Sequence, residues 1–246
     1  MILFWFRRDL READNNGFFH ALSDANMVLP AFVFDEKIID KLPKNDARIS
    51  FIHKNISKLE RVFRAHGSGI LVRKGNPSDY ILTWCKTYNI TAVYTNEDYE
   101  PYARERDAKI QRKLAEIGVE FKTFKDQVLF APDEVLKKDD SPYKVYTPYS
   151  RIWLAQMDEM DVPNYPSESL LHKLFKADFG DIPSLKQMGF STGQHEIPTA
   201  SESKSMMDAY DETRNFPAMD STSKLGVYLR FGAVSVRRII EKARKS

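Results

Sequence analysis

The residues best suited to ligand chemistry lie in one short turn near the end of the chain. The turn reads Thr222-Ser223-Lys224-Leu225-Gly226, and an aromatic residue, Tyr210, precedes it. Two hydroxyls, consecutive backbone N–H groups and one ammonium group are donors that a phosphate or diphosphate accepts. From the spacing alone, a simple helix-capping turn is the commoner outcome. The turn is therefore a candidate phosphate site that needs independent support.

A second group of charged residues follows the first apolar run of the sequence. Its members are Arg7, Arg8, Asp9, Arg11 and Asp14. If that run is a strand of a parallel sheet, these residues lie at the carboxyl edge, where ligands of such sheets bind. Opposite charges that alternate in this way form structural salt bridges more often than they contact ligands. We therefore predict a salt-bridge network at this edge.

Five short apolar runs indicate the strands that must position these groups. They are Ile2–Phe6, Val28–Phe34, Ile70–Val72, Ala92–Tyr94 and Val119–Phe124. Runs this short and this apolar are typical of strands buried on both faces. Their alternation with helical patterns predicts an α/β fold, a parallel five-stranded Rossmann-like sheet with helices on both faces. The sequence lacks a G-x-G-x-x-G after the first run and a P-loop pattern, which disfavours a conventional dinucleotide fold and a P-loop NTPase.

Helical periodicity and capping residues predict the helices between the strands. Apolar residues recur at helical spacing from Ile49 to Val62. Asn76 and Pro77 make a suitable cap and first turn for a second helix. Pro101 opens a third, which places Ile117 on its inward face.

The pattern divides the chain into three parts. Residues 1–130 are predicted to form the α/β domain, and residues 131–200 a proline-rich connector that wraps it and contains a short helix near Ser150–Met157. Residues 201–246 are predicted to form the first helices of an incomplete all-α domain, with Ser235 as the N-cap of a helix at Val236–Arg244. This last part is too short to bury a core of its own. We expect it to be frayed, docked on the α/β domain or completed by a further part.

Composition places the chain among globular proteins of moderate charge. It has 246 residues, of which 42% are hydrophobic and 29% charged, and its net charge is +2. From Ser221 to Ser246 seven basic residues accompany a single acid, Glu241. This basic stretch fits a phosphate-rich partner, and it fits a solvated helix face equally well.

Cysteine and histidine usage excludes several functional classes. Cys85 is the only cysteine, which rules out a disulfide within the chain and a cysteine zinc cluster and fits a reducing cytoplasm. The five histidines, among them His195, show no metal-ligand spacing, so no metal site is predicted. The apolar start ends at Arg7, too early for a signal peptide or a membrane span. We expect a cytoplasmic protein without membrane segments.

Four segments carry a resemblance to a known family, and they occur in the family's order. They are Phe4–Arg11 with Asp14-Asn15, Tyr99–Asp107, Tyr143–Tyr149 and Tyr210–Arg237. These segments resemble the DNA photolyase/cryptochrome family, in particular the N-terminal portion of its bacterial repair members. The last segment resembles the start of the family's flavin-binding domain. The resemblance covers nearly all of this chain, whereas the family's long helical C-terminal domain is expected to be missing from it.

The resemblance implies light-driven repair of UV-damaged DNA, in which reduced FAD donates an electron that splits a cyclobutane pyrimidine dimer. It implies that Tyr210 and the turn from Thr222 to Gly226 bind the diphosphate and adenosine side of FAD. Gly226 stands where the family has a serine, so one hydroxyl is lost and the backbone N–H remains. Arg214 matches an arginine that contacts the DNA backbone, and a helix-end arginine that pairs with Asp211 or is simply solvated is an equally strong alternative. No residue here is implied as an acid, base or nucleophile.

In this family the α/β domain can also hold an antenna chromophore. Members that use folate carry Asn-Glu where this sequence has Tyr102-Ala103, which disfavours folate and leaves a deazaflavin, a second flavin or none. Trp5, Trp84 and Trp153 are predicted to be packing residues. Two other functions stay open, a cryptochrome photoreceptor and a non-catalytic nucleotide- or chromophore-binding α/β module. We expect the chain to be a monomer. By itself it is expected neither to repair DNA nor to hold FAD tightly.

Overall fold

Five parallel strands form the centre of the computed structural model, which describes residues 1–193 and 197–245. In chain order they are β1 (Ile2–Phe6), β2 (Val28–Asp35), β3 (Leu71–Gly75), β4 (Ala92–Asn96) and β5 (Glu120–Phe124). Their order in space is β3-β2-β1-β4-β5, and each neighbouring pair is parallel. The strand order reverses at β1 and β4, which makes their carboxyl ends the expected ligand crevice. Each predicted apolar run contributes a strand, and the fold class is confirmed.

Helices cover both faces of this sheet. They are α1 (Asn16–Asp24), α2 (Glu36–Ile39), α3 (Ala47–Ala65), α4 (Pro77–Thr87) and α5 (Pro101–Ala115). On one face, rings of β1, α1 and α3 pack together, with 5.0 Å between the ring centres of Phe6 and Phe18. On the other face, Trp5 packs among buried side chains of α4 and α5, including Trp84 and Leu114. The packing role predicted for Trp5 and Trp84 is confirmed.

The capping residues predicted two helix starts correctly and one inward face wrongly. The Asn76 side chain accepts a hydrogen bond from the Ser78 backbone N–H, with Pro77 in the first turn, and Pro101 begins α5. Ile117 is 39% exposed because α5 ends at Ala115 and the chain then turns toward β5. Helix α1 had not been predicted, although the Asn15 side chain caps it by accepting from the Phe18 N–H.

The connector wraps the sheet and also contributes to its core. It contains α6 (Tyr146–Glu159), which begins before the predicted Ser150, and a 3₁₀ segment at Ser167–Lys173. Four apolar side chains within or after this segment are buried in the main core cluster, namely Leu171, Leu174, Met188 and Phe190. The backbone N–H of Phe175 donates to the Val28 carbonyl at 2.8 Å, which ties the connector to β2. Trp153 packs edge-on against Phe130.

The last part of the chain is docked on the sheet edge, one of the three expected outcomes. It contains α7 (Lys204–Asp208), α8 (Tyr210–Thr213), α9 (Gly226–Arg230) and α10 (Val236–Arg244). The Ser235 hydroxyl accepts from the Arg238 N–H, as predicted for an N-cap. We refer to residues 225–244 as the docked segment. The domain boundaries at 130 and 200 stay predictions.

Candidate functional site

The docked segment lies with its backbone directly against the residues that follow β1. The Leu10 N–H donates to the Phe231 carbonyl at 3.1 Å, and Arg11 Nη1 donates to the Gly232 carbonyl at 3.1 Å. Gly232 has φ +60°, and a Cβ at this position would lie 2.2 Å from the Arg8 carbonyl oxygen. Only glycine permits both this conformation and this approach. This contact holds the chain between α9 and α10 against the sheet edge and thereby fixes the position of both helices.

A buried group of charges, which we call the Arg237 network, holds the same segment. Its members are Arg11, Asp14, Asp126 and Arg237, with the hydroxyl of Ser235 bound to Asp14. Arg237 Nε lies 3.0 Å from Asp14 Oδ2, and Arg237 Nη2 lies 2.8 Å from Asp126 Oδ1. Arg11 Nη2 reaches both Asp126 oxygens at 2.8 Å. Two arginines therefore face two carboxylates inside the seam between the segment and the sheet.

The network shifts the pKa values of Asp126 and Arg237. Burial alone favours the neutral form of Asp126, but the charges of Arg11 and Arg237 outweigh it and hold the pKa of that carboxyl below its usual value. Burial likewise opposes the charge on Arg237, yet Asp126 and Asp14 raise the pKa of its guanidinium. Both groups are thus held ionised by each other.

Asp9 sits beside this network at the end of β1 and is also buried. Asn96 Nδ2, at the end of β4, donates to Asp9 Oδ2 at 2.6 Å and to Asn15 Oδ1 at 2.7 Å. Burial raises the pKa of the Asp9 carboxyl. Arg7 pairs with Asp107 and Arg8 with Asp98. The salt bridges predicted after β1 are therefore confirmed for Arg7, Arg8, Arg11 and Asp14, whereas among the described residues Asp9 binds Asn96 instead of a cation.

A pocket of about 470 Å³ opens beside the seam, and we call it the sheet-edge pocket. Its lining combines apolar side chains from β2, α2 and α3 with residues of α9, Phe231 and charged side chains that include Arg7, Arg8 and Arg106. The Tyr102 hydroxyl, from α5, donates to Asp35 Oδ2 at 2.8 Å across one end. Burial, together with this bond to Asp35, raises the pKa of Tyr102. Arg230 pairs with Glu100 at 2.6 Å at the rim, and its hydrogen bond lowers the pKa of Glu100.

The turn predicted to hold a phosphate stands at the start of α9. Lys224 has φ +53°, and its ammonium lies 2.5 Å from Asp220 Oδ1. The Ser223 carbonyl accepts from the Ser201 N–H at 2.9 Å. Thr222 is exposed, Leu225 is buried, and Gly226 both ends the turn and lines the sheet-edge pocket.

One hydroxyl beside the turn lacks a partner. Ser221 Oγ is shielded from solvent and makes no hydrogen bond within residues 1–193 and 197–245. A shielded hydroxyl of this kind is a donor that an external acceptor satisfies. The donor set of Ser221, Thr222, Ser223 and the adjoining backbone therefore fits a phosphate group.

Tyr210 and Arg214 lie together on α8 and at its end. Tyr210 is 47% exposed. The Arg214 guanidinium stands 5.9 Å from the centre of the Tyr210 ring and 3.4 Å from Asp211 Oδ1. The Asp211 pair is the alternative that the sequence left open, and it leaves the Arg214 side chain 51% exposed. Tyr210 and Arg214 contact each other, whereas Ser223 and Lys224 bind Ser201 and Asp220.

Sequence reasoning missed the residues that organise the seam. Arg237 counted only as one member of a basic stretch, and neither Asp126 nor Gly232 was singled out. Asp35 had a usable signal, because it directly follows an apolar run and so lies at the carboxyl end of a strand. The pairing of Asp14 with Arg237 had none, since the two residues are 223 positions apart.

Metal clusters and membrane-spanning helices are both absent from residues 1–193 and 197–245. No three His, Cys, Asp or Glu side chains are grouped there so as to hold a metal ion. His195 lies outside the described residues. Of the helices described, none has both the length and the apolar character needed to cross a membrane.

A family model described as DNA photolyase matches residues 2–167 of the sequence. The chain belongs to the DNA photolyase family. The deoxyribodipyrimidine photo-lyase of Synechococcus sp. (strain PCC 6301) is 31% identical over 253 residues, which cover 96% of this chain and 52% of that protein. The chain thus spans about half the length of this curated relative.

Two solved structures share the fold. The archaeal photolyase from Sulfolobus tokodaii, described with two FAD molecules, superposes with a TM-score of 0.71 at 23% identity and covers 100% of this chain and 55% of that one. The cryptochrome from Synechocystis sp. PCC6803 superposes with a TM-score of 0.81 at 18% identity and covers 100% and 55% respectively. At these identities the likeness extends to the fold alone.

Proposed function

We propose that this chain forms the N-terminal part of a light-driven DNA repair enzyme, which splits cyclobutane pyrimidine dimers with an electron from reduced FAD. Membership of the photolyase family and the 31% identity to a photo-lyase over nearly the whole chain support this. The observation that carries the proposal is the docked segment. The stretch that resembles the start of the flavin-binding domain is held at the sheet edge by Gly232 and by the Arg237 network.

We propose that Tyr210, Thr222, Ser223, Lys224, Leu225 and Gly226 bind the FAD. The hydroxyls of Thr222 and Ser223 and the backbone N–H groups donate to the diphosphate, and the unpartnered Ser221 hydroxyl adds a donor. Lys224 must exchange its contact with Asp220 for a phosphate oxygen. When bound, reduced and excited by light, FAD supplies the electron. The residues of this chain position it and leave the electron transfer to the cofactor.

Arg214 is the residue we propose for contact with UV-damaged DNA. Its guanidinium is half exposed and only loosely paired with Asp211 at 3.4 Å. An exposed pair of this kind is worth less than ~1 kcal/mol, so a DNA phosphate can replace the carboxylate. Contact with phosphate positions the duplex without reading its sequence, as recognition of damage requires.

The sheet-edge pocket is the place we propose for an antenna chromophore. Its volume of about 470 Å³ and its apolar walls suit a planar ring system. The Tyr102 side chain, bound to Asp35, occupies the position where folate-using members have asparagine. This favours a deazaflavin or a second flavin over folate.

A cryptochrome photoreceptor is the second candidate, supported only by the fold shared with the Synechocystis protein. A non-catalytic α/β module that binds a chromophore is the third, because residues of this chain alone enclose the pocket. We further propose a cytoplasmic monomer. The single cysteine, Cys85, is buried and free, which is compatible with a reducing compartment.

A chimera tests the repair function. We would join this chain to the C-terminal half of the Synechococcus photo-lyase, confirm FAD by absorbance, and illuminate it with an oligonucleotide that contains a thymine dimer. Light-dependent loss of the dimer supports the repair enzyme. A chimera that holds FAD and leaves the dimer intact in the light contradicts it and favours the photoreceptor.

The chain by itself is the second test. We expect its visible spectrum to lack FAD, because a pocket without most of its walls loses contacts and admits water. Mass spectrometry of the denatured chain identifies any other chromophore. The same measurement is repeated on a variant in which Thr222 and Ser223 are changed to alanine. If this variant still releases a deazaflavin or a flavin, that chromophore binds outside the turn.

A further inference from the structure

One wall of the sheet-edge pocket is made by the same short helix that follows the candidate FAD turn. Gly226, Val227, Arg230 and Phe231 line the pocket, and Gly226 is also the last residue of the turn. Whatever fills the pocket therefore contacts the element that sets the position of the turn.

Helix α9 is secured at its end, whereas its first residue faces open space. At the end, the Phe231 and Gly232 carbonyls accept hydrogen bonds from Leu10 and Arg11. Leu225 is buried just before the helix and Tyr228 packs edge-on against Phe51, but no side chain caps the helix and none of its five residues is buried. A Cβ placed on Gly226 would have no heavy atom within 4 Å among the described residues. A helix of one turn has little stability of its own, so its position depends on such packing.

A ligand in the pocket adds packing where the first residue of α9 faces open space. A planar ring that fills the pocket contacts Gly226 and Val227 together with apolar side chains of β2. Binding that orders a segment lowers the cost of a second binding event that needs the same order. The ordering of the turn is thus coupled to the filling of the pocket.

We propose that occupancy of the sheet-edge pocket fixes α9 and thereby orders the Thr222–Gly226 turn, so that the antenna ligand prepares the FAD site. The inference rests on the proposed function, since it assumes that the pocket takes a planar chromophore. It adds a regulatory link between the two sites, and the link acts through Gly226 and Val227.

Hydrogen exchange with riboflavin as the probe tests the link. Riboflavin binding to the purified chain is measured by fluorescence, and amide exchange is then followed by mass spectrometry with and without saturating riboflavin. We expect exchange in residues 222–231 to slow about tenfold, because opening of this segment then requires loss of ligand contacts. Exchange in α4 should stay unchanged. This helix carries Trp84 and packs into the core cluster on one face of the sheet.

Two variants that place valine in the same helix provide the control. Gly226→Val fills the open space at the pocket wall, so we expect it to weaken riboflavin binding and to slow exchange of the turn without ligand. Leu229→Val changes a residue outside the pocket lining, and we expect both quantities to match the unmodified chain.

The outcomes separate the two proposals. Riboflavin that binds without slowing exchange in residues 222–231 refutes the link and leaves the pocket assignment intact. Riboflavin that does not bind refutes the chromophore pocket and the link with it. Equal effects of Gly226→Val and Leu229→Val also refute the link, because they show that a change in the pocket lining acts no differently from a change elsewhere in α9.

Discussion

Replacement of Arg237 by methionine should release the docked segment. Arg237 is only 4% exposed and contacts both Asp14 and Asp126. Methionine keeps an unbranched side chain but removes the charge, which leaves the Asp14 carboxylate buried without a cation. Removal of one partner of a buried ion pair costs about 3–5 kcal/mol. Because Arg11 still holds Asp126 at 2.8 Å, we expect the lower end, about 3 kcal/mol.

Urea unfolding and hydrogen exchange measure this loss. We expect the free energy of unfolding to fall by about 3 kcal/mol at pH 7. If the segment opens locally at lower cost, amides of α10 should instead exchange about 100-fold faster while the sheet stays protected. Arg238→Met is the matched control, since Arg238 makes a half-exposed pair with Glu168. Such pairs contribute less than ~1 kcal/mol.

The pH dependence gives a second signature with a definite sign. The pKa of folded Asp126 lies below its usual value. A depressed pKa contributes stability that is present above the unfolded pKa of about 4 and is lost as the pH falls through the folded pKa. The difference between the unmodified chain and Arg237→Met should therefore be largest near neutrality and shrink below about pH 4. A difference that does not vary with pH, or one no larger than that of Arg238→Met, refutes the reasoning.

Three further changes have simple expected results. Gly232→Ala should lower the melting temperature sharply, because its Cβ would meet the Arg8 carbonyl oxygen at 2.2 Å. The control is Gly180→Ala, at a position with φ +74° and open space, which should lower the free energy of unfolding by only about 1 kcal/mol. Gly226→Ser restores the hydroxyl that the family has there, so FAD should bind more tightly to the chimera at an unchanged melting temperature; weaker binding would contradict the assignment of the turn. Burial raises the pKa of the Cys85 thiol to about 12. This thiol should therefore resist a disulfide reagent at pH 8 until urea unfolds the chain. Prompt reaction of the folded protein would contradict its burial.

The sheet was predictable because its signals are local. β1 and most of β2 are continuous apolar runs, β3 and β5 each include a shorter one beside charged residues, and Asn76 and Ser235 cap their helices by hydrogen bonds to residues two and three positions ahead. Helix α9 gave no comparable signal. It is five residues long and uncapped, and its place is set by Gly232 against Arg8, a contact that only the folded chain creates. The Thr222–Gly226 turn stands out in the sequence as a candidate phosphate site, whereas its place beside the pocket depends on packing.

The basic stretch at the end of the chain shows why composition is a weak guide to partners. Its arginines and lysines find acidic residues that the sequence scatters widely. The pairs are Arg230 with Glu100, Arg237 with Asp14 and Asp126, Arg238 with Glu168, and Lys242 with Glu202. A cation neutralised within the fold adds little to the attraction of nucleic acid. These pairs therefore neutralise much of the positive charge of this stretch within the fold, and the proposal of DNA binding rests on the exposed Arg214 and on the family.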